Sequence, residues 1–305
     1  MSIADAIRKS LAARVAATLA LVVLPLIIVA GTILIVQQRK QMEESVLEKA
    51  RVATALGAHE YGDIVDKTID AGKFSVNDAF DRNYVLIKGY EWGKNPKYHT
   101  RYDSILDKEI LLLQDQFLED QDFVFAIGVD ENGYIPTHNT KFSQPITGDP
   151  AKDLLGNRTK RIANYAEGLA AARSEEPSLV QVYYRNTGEK MWDVSSPIYV
   201  KARHWGAFRV GVSMERIAAR QRMLLFTLAG LFALFFVVTT GTMYVVIRRA
   251  MEPVVALTAA AEQISLGEQL ETPLKSAATD EIGLLTKAID RLRASMKAAM
   301  SRLGH

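Results

Sequence analysis

Apolar positions along this chain fall into three rhythms, each predicting a different kind of structure. The first is continuous: Val15 to Val36 and Met223 to Ile247 carry no charged residue, and about 20 apolar residues suffice for a helix to cross a bilayer. The second has helical spacing. From Gln37 to about Phe80 the chain is rich in Glu, Lys and Ala and lacks proline, predicting a helix that continues out of the first run, with Val46, Ala50, Ala53 and Gly57 on one face. In "YDSILDKEILLLQDQFLEDQD" Leu106, Ile110, Leu113 and Phe117 line one side of another helix. Gly93, Asn95 and Pro96 break both periods between them and predict a turn.

After Asp122 the third rhythm, β-prone, begins. "FVFAIGVDENGYIPTH" holds two apolar runs around Asn132-Gly133, a hairpin signal. Residues 148–174 return to helical composition, with Asp149-Pro150 as a helix start. "SLVQVYYR", "KMWDVSSPIYVK" and "WGAFRVGVSM" then predict three strands joined at "NTGE" and "ARH". Two strands, helices and three antiparallel strands describe a small α+β domain with a single sheet.

Past Arg248 the spacing becomes that of a coiled coil. Val254, Leu257, Ala261 and Ile264 form one a/d seam, and Ile282, Leu285, Ile289, Leu292 and Met296 a second. The connector from Ser265 to Thr279 is long enough for the two helices to run parallel, with Leu270 and Leu274 packing back on the seams. Asp280 and Glu281 stand where a helix N-terminus favours negative charge. Two helices with open seams predict a homodimer that closes a parallel four-helix bundle.

These elements divide the chain into a cytoplasmic N-terminus (1–14), transmembrane helix 1 (15–36), a periplasmic helical region (37–121), a sensor domain (122–215), a membrane-proximal linker (216–222), transmembrane helix 2 (223–247) and a relay (248–305). The first apolar run is longer than a signal-peptide core of about 7 to 15 residues, which predicts an uncleaved anchor. Arg8, Lys9, Arg14, Arg248 and Arg249 place both termini in the cytoplasm. Arg39, Lys40, Arg216, Arg220 and Arg222 oppose this, but long domains translocate largely regardless of charge.

Composition narrows the chemistry. With 37 Lys+Arg against 35 Asp+Glu there is no global basic field, so nucleic acid is not expected as a partner. The absence of cysteine excludes disulfides, thiolate metal sites and a thioether-bound haem. No phosphate loop, hydrolase elbow or paired metal-ligand spacing is present, and His59, His99, His138, His204 and His305 are scattered. No catalytic residue, metal or cofactor is expected. Acidic residues outnumber basic ones from Gln37 to Glu131, and the balance reverses from Tyr134 to Glu215. The basic half carries Tyr134, His138, Asn139, Arg158, Arg161, Tyr183, Arg185, Trp192, His204, Trp205 and Arg209 on or beside predicted strands. Arginine grips carboxylates in a fork, so a pocket for a small anionic or polar ligand is expected there. The same residues also suit sheet packing, and Arg158 or Arg161 could pair with Asp149 or Asp153.

The segments "FVFAIGVDENGYIPTHNTKFSQPITGDPAKDLLGNRTKRI" and "PIYVKARHWGAFRVGV" resemble the periplasmic PAS-like or Cache-like sensor region of bacterial methyl-accepting chemotaxis proteins, over about Lys94 to Met214. Haem binding known in some such sensors is not implied, because the Cys-x-x-Cys-His motif is missing. Pro253 after the basic membrane exit, Gly267 at the head of the connector and "DEIG" (Asp280 to Gly283) resemble a HAMP domain. The resemblance implies an inner-membrane receptor with a periplasmic sensor, chemoreceptor-like; that the chain as written is not an enzyme is expected from its motifs and from the short stretch after Met296. After Met296 too few residues follow for a catalytic domain. The relay's receiver is therefore either an output domain beyond this sequence or a downstream protein in trans. The alternative function is a stand-alone membrane adaptor acting on a partner receptor or kinase.

Overall fold

The computed structural model describes residues 10–89, 96–185 and 188–303. It forms two compact units, Val36–Leu225 and a second made of Met1–Ile35 with Phe226–His305. Two helices, α1 (Leu11–Asp70) and the later α6 (Met214–Ser265), are long and apolar enough to cross a membrane. Their large side chains stay exposed, Leu21 by 72% and Phe226 by 73%, as apolar helices that face lipid require. Pro25 and Pro253 lie inside helices that continue through them.

Within the Val36–Leu225 unit, α1 is followed by α2 (Val76–Ala79), β1 (Val85–Leu86), β2 (Tyr98–His99) and α3 (Asp103–Phe117). Next come β3 (Phe123–Asp130), β4 (Tyr134–Ile135), α4 (Pro150–Gly156), β5 (Arg161–Ile162) and α5 (Ala166–Arg173). Three strands close the unit: β6 (Leu179–Tyr184), β7 (Lys190–Val200) and β8 (Arg203–Ser213). The main sheet is antiparallel in the order β3-β8-β7-β6, with β1-β2 and β4-β5 as separate two-stranded ribbons. The single sheet expected from the sequence is thus three. The turn predicted at Gly93 and Asn95 lies outside the described residues, as do Asn186 and Thr187 of the β6–β7 connection.

The hairpin predicted at Asn132-Gly133 does not form. β3 pairs with β8 (Ala126 opposite Val210) and β4 with β5 (Tyr134 opposite Ile162). The buried Asp130 carboxylate accepts N–H groups of Asn132 (3.0 Å) and Tyr134 (2.9 Å), turning the chain off the sheet edge. Gly133 adopts a φ of +78°, and a Cβ there would lie 2.6 Å from the Ala163 carbonyl oxygen on the incoming strand. The helical stretch at 148–174 splits into α4 and α5 around β5. Asp149 caps α4, accepting from Ala151 N at 3.0 Å, with Pro150 at its first position.

Alternation along the strands gives the main sheet two buried faces. One packs Ala126, Val194, Ile198, Phe208 and Val210 against Val46, Ala50, Ala53, Tyr61 and Val65 of α1 and Leu106 and Ile110 of α3. Gly57 on the same face of α1 leaves room for the Phe208 ring, which occupies the place a Cβ would need. The other face carries Phe125, Ile127, Val129, Tyr183, Met191 and Ala207 with Ile135, Phe142 and Ala163 above them.

In the other unit α6 runs past Pro253, burying Leu257 (8% exposed) and Ile264 (1%). The helix stops at Gly267, whose φ is +82°, with Glu268 N donating to Gln263 O at 2.9 Å. The connector lies along α7 (Glu281–Leu303): Leu274 N donates to Asp290 Oδ1 at 2.9 Å, and Arg293 donates to Leu270 O. A Cβ on Gly267 would meet Met300, so the ends of α6 and α7 come together and the two helices run parallel. Asp280 caps α7, accepting from Ile282 N (3.1 Å) and Gly283 N (3.3 Å), and a Cβ on Gly283 would strike the Ala278 carbonyl oxygen. On the second seam Leu285 and Leu292 remain 41% and 55% exposed.

Candidate functional site

Above the second sheet face lies a cavity of about 150 Å³. β3 supplies Phe125 and Ile127 to its floor, β6 and the residue after it supply Tyr183 and Arg185, β8 supplies Arg209, and the lobe over the sheet contributes His138, Arg158, Arg161 and Tyr165. Tyr183 and Tyr165 stack at 5.9 Å and 14° to form one wall. Period-2 alternation is what sends Tyr183 and Arg185 to the same side.

The charges in this cavity do not balance. Arg209, 1% exposed, is held by Asp193 through Nη2–Oδ2 at 2.7 Å and Nε at 3.2 Å, and its Nη2 reaches the Tyr165 hydroxyl at 3.3 Å. Burial works against the Arg209 charge, but the Asp193 carboxylate outweighs it and pushes the guanidinium value up. Arg185 pairs with Glu189 at 3.3 Å. Arg161 donates to the backbone oxygens of Leu154 (3.3 Å) and Asp153 (3.2 Å), so the expected partner Asp153 is met at its carbonyl. Arg158 Nε and Nη2, Arg161 Nε, Arg185 Nε and His138 Nδ1 are buried without a hydrogen-bond partner among the described residues. Burial, then the neighbouring Arg185 and Arg161, push Arg158 down to about 10. Burial, reinforced by Arg158, Arg185 and Arg161, holds the His138 imidazole well below its ordinary range, leaving it neutral. A cavity with an apolar floor, an aromatic wall and unmatched guanidinium donors offers the hydrogen bonds that a carboxylate or other anion accepts.

Of the residues the sequence singled out, His138, Arg158, Arg161, Tyr183, Arg185 and Arg209 meet in this cavity. The others do not. Tyr134 is buried in the first-face core, donating to Tyr98 O and Asp103 Oδ2, both at 2.8 Å. Asn139 is a structural bracket between Ala126 N (2.9 Å) and Gln114 O (2.8 Å). Trp205 packs in the first-face core and donates to Ala79 O at 2.8 Å, Trp192 lies against the same core, and His204 packs edge-on to Tyr199 at 5.8 Å. Tyr165, Phe125, Ile127 and Asp193 went unnoticed in the sequence. The pairing of Asp193 with Arg209 needs the sheet register: Ser195 stands opposite Arg209, and Asp193 lies two residues along on the same face, within reach of the guanidinium.

A second constellation lies at the start of β3. Asp122, 5% exposed, accepts Lys49 Nζ of α1 at 2.5 Å and forms an ion pair with the Arg220 guanidinium on α6. Lys49 also meets Asp120 at 2.8 Å, Arg216 donates to Gln121 O at 2.8 Å, and Gln221 donates to Glu43 at 2.8 Å. The three-residue loop Asp120–Asp122 is thereby tied to both long helices, and it leads directly into the strand whose Phe125 and Ile127 floor the cavity.

The apolar helix α6 runs past Pro253 into a pair of parallel helices joined by a returning connector. Residues 245–298 match the HAMP domain family, and the C-terminal helix pair is a HAMP domain. The chain thus carries two candidate membrane helices, a sheet-containing domain between them in sequence and a HAMP domain after the second. None of the curated proteins compared matches the chain. Among solved structures it is similar to the sensor domain of Escherichia coli DcuS at 18% identity and a TM-score of 0.27, over 37% of this chain and 71% of that one. It is also similar to an extracellular ligand binding receptor from Desulfohalobium retbaense (12%, TM-score 0.32, over 61% of this chain and 25% of that one). The sensory domain of the Campylobacter jejuni chemoreceptor Tlp3 gives 9% and 0.27, over 59% of this chain and 64% of that one. At these identities no residue role is carried over from them.

Proposed function

We propose that this chain is a transmembrane receptor of the bacterial inner membrane that binds a small anion in the arginine cavity of a periplasmic sensor domain. The reading is carried by one observation, the buried guanidinium donors of Arg158, Arg161 and Arg185 that no group among the described residues accepts. Binding would draw the lobe over the sheet toward the anion. The shift passes along β3 to the Asp122 junction on α1 and α6, and through those helices to the HAMP domain, a population shift between two packings and not a chemical step. The exposed Leu285 and Leu292 support a homodimer closing the four-helix bundle. Resemblance to chemotaxis receptors favours a chemotaxis output, either carried beyond this sequence or reached in trans.

The test uses the full chain in nanodiscs. Unfolding temperature is measured with acetate, malonate, sulfate and phosphate, for the wild type and for Arg158→Leu. At least one anion should raise the wild-type temperature by several degrees, in a concentration-dependent way, and leave the variant unmoved. If no anion does so, or if Arg158→Leu responds like the wild type, the cavity is not the sensor. Because the chain lacks cysteine, Leu285→Cys offers a clean second readout. Disulfide formation between copies supports the homodimer, and its absence together with a cross-link to another receptor supports the adaptor reading.

A further inference from the structure

Beside the Asp122 junction lies a second concavity, a groove of about 460 Å³. Its floor is apolar, from Leu118, Phe123 and Val124, and its rim is cationic, from Lys141, Arg216 and Arg220. Arg220 forms an ion pair with Asp122, and among the described residues the Arg216 guanidinium bonds a backbone carbonyl alone. Each guanidinium carries five N–H donors, so both keep donors to offer outward, and Lys141 and the Arg220 side chain are exposed. Along α6, Arg222 directly precedes Met223, where the apolar run starts, and Arg39 and Lys40 follow the run of α1 that ends at Val36. Arg39 and Arg222 are exposed and make no ion pair among the described residues, and Lys40 meets only the exposed Glu44, at 3.7 Å.

We propose that this groove, together with Arg39, Lys40 and Arg222 next to the apolar runs in the sequence, is a docking surface for the phosphate headgroups of anionic phospholipid in the membrane that α1 and α6 enter. A soluble counter-ion has no use for an apolar floor, whereas a glycerophospholipid presents phosphate and hydrocarbon together. The phosphate layer also lies where such helices leave the hydrocarbon. The cations that oppose the positive-inside pattern thereby acquire a role, and the Asp122 junction becomes sensitive to the lipid it stands on.

The full chain in phosphatidylcholine nanodiscs with a minor fraction of phosphatidylglycerol tests this, using spin-labelled forms of each lipid to measure the motionally restricted fraction. The wild type should prefer phosphatidylglycerol about five-fold, the ratio that about one favourable headgroup contact supplies. Lys141→Glu/Arg216→Gln should bring the preference near parity, Arg39→Gln/Arg222→Gln should lower it partly, and Arg248→Gln/Arg249→Gln should leave the groove's share in place. An unchanged preference in the first variant, with its unfolding temperature retained, overturns the proposal. So does a preference lost wholly in the Arg248/Arg249 variant, or one abolished by added inorganic phosphate, which would mark a free-anion site. Should Lys141→Glu/Arg216→Gln unfold, Lys141→Glu alone, at an exposed position, gives the same readout with a smaller shift.

Discussion

The two faces of the four-stranded sheet are built from similar residues and treat charge in opposite ways. On the first, Trp205 packs against Tyr61 at 5.2 Å and Tyr102 at 5.7 Å and spends its N–H on Ala79 O. The cation there, Arg82, lies 5.6 Å from the Trp205 ring and is answered by Asp130 (3.5 Å), Glu131 (3.2 Å) and Trp205 O (3.0 Å). A Tyr61 hydroxyl is left over, a neutral group whose cost is small beside that of a charge. On the second face Asp193 matches Arg209, but Arg158 and Arg161 keep buried donors that nothing among the described residues accepts. A face that only has to fold satisfies its cations. A face short of acceptors gives up stability, which on the function proposed above a bound anion would restore.

The largest test of that contrast is Trp205→Ala, which should cost about 3–5 kcal/mol by emptying a packed core site, read from chemical unfolding of the full chain in nanodiscs. The anion response per folded molecule should survive. A loss of under about 1 kcal/mol would mean that the first face is not the stabilising one. Arg158→Leu should act the other way. Because the side chain is only half-buried, removing its unmatched donors should stabilise the anion-free protein by about 1 kcal/mol while abolishing the response. If Arg158→Leu instead destabilises, its guanidinium is already satisfied and the two faces are alike.

How much of this the sequence discloses depends on the range of the interaction. The apolar runs, the α1 stripe at Val46, Ala50, Ala53 and Gly57, the Asp149-Pro150 start and the Gly267 and Asp280 landmarks are local signals, and the folded chain uses each of them. The hairpin failed because Asn132-Gly133 reports only that the chain turns. Where it goes next is decided by the Asp130 carboxylate and by Ala163, about 30 residues further on, whose N–H donates to Gly133 O at 2.7 Å. The site followed the same rule. Arginine and tyrosine types pointed to the right half of the chain, but separating Arg158 from the bracket Asn139, or Tyr183 from the core Tyr134, requires the strand register. So does recognising that Asp193 neutralises Arg209 and leaves the other arginines in excess.

The smallest expected effect discriminates most finely, because its change on anion addition reports on the field inside the cavity. His138 is 3% exposed, between the Phe142 ring at 4.9 Å and the Phe125 ring at 6.2 Å. Burial and three nearby arginines depress its folded value below the ordinary 6.5. The unfolded chain therefore takes up a proton in a range where the folded chain refuses it. The stability from neutral His138 is complete above about pH 6.5 and falls as the pH drops below it, by at most about 1.4 kcal/mol per pH unit. His138→Phe keeps an aromatic ring between the two phenyl rings and removes the proton, so the difference between variant and wild-type unfolding free energies should change with pH only below that value. A saturating anion in the wild type should shrink this slope, since negative charge beside the imidazole offsets the arginines. A slope that a saturating anion leaves unchanged, or parallel curves for the two proteins through the acid range, would show that the cavity exerts no excess positive field on His138, and the distinction between the two faces would fall with it.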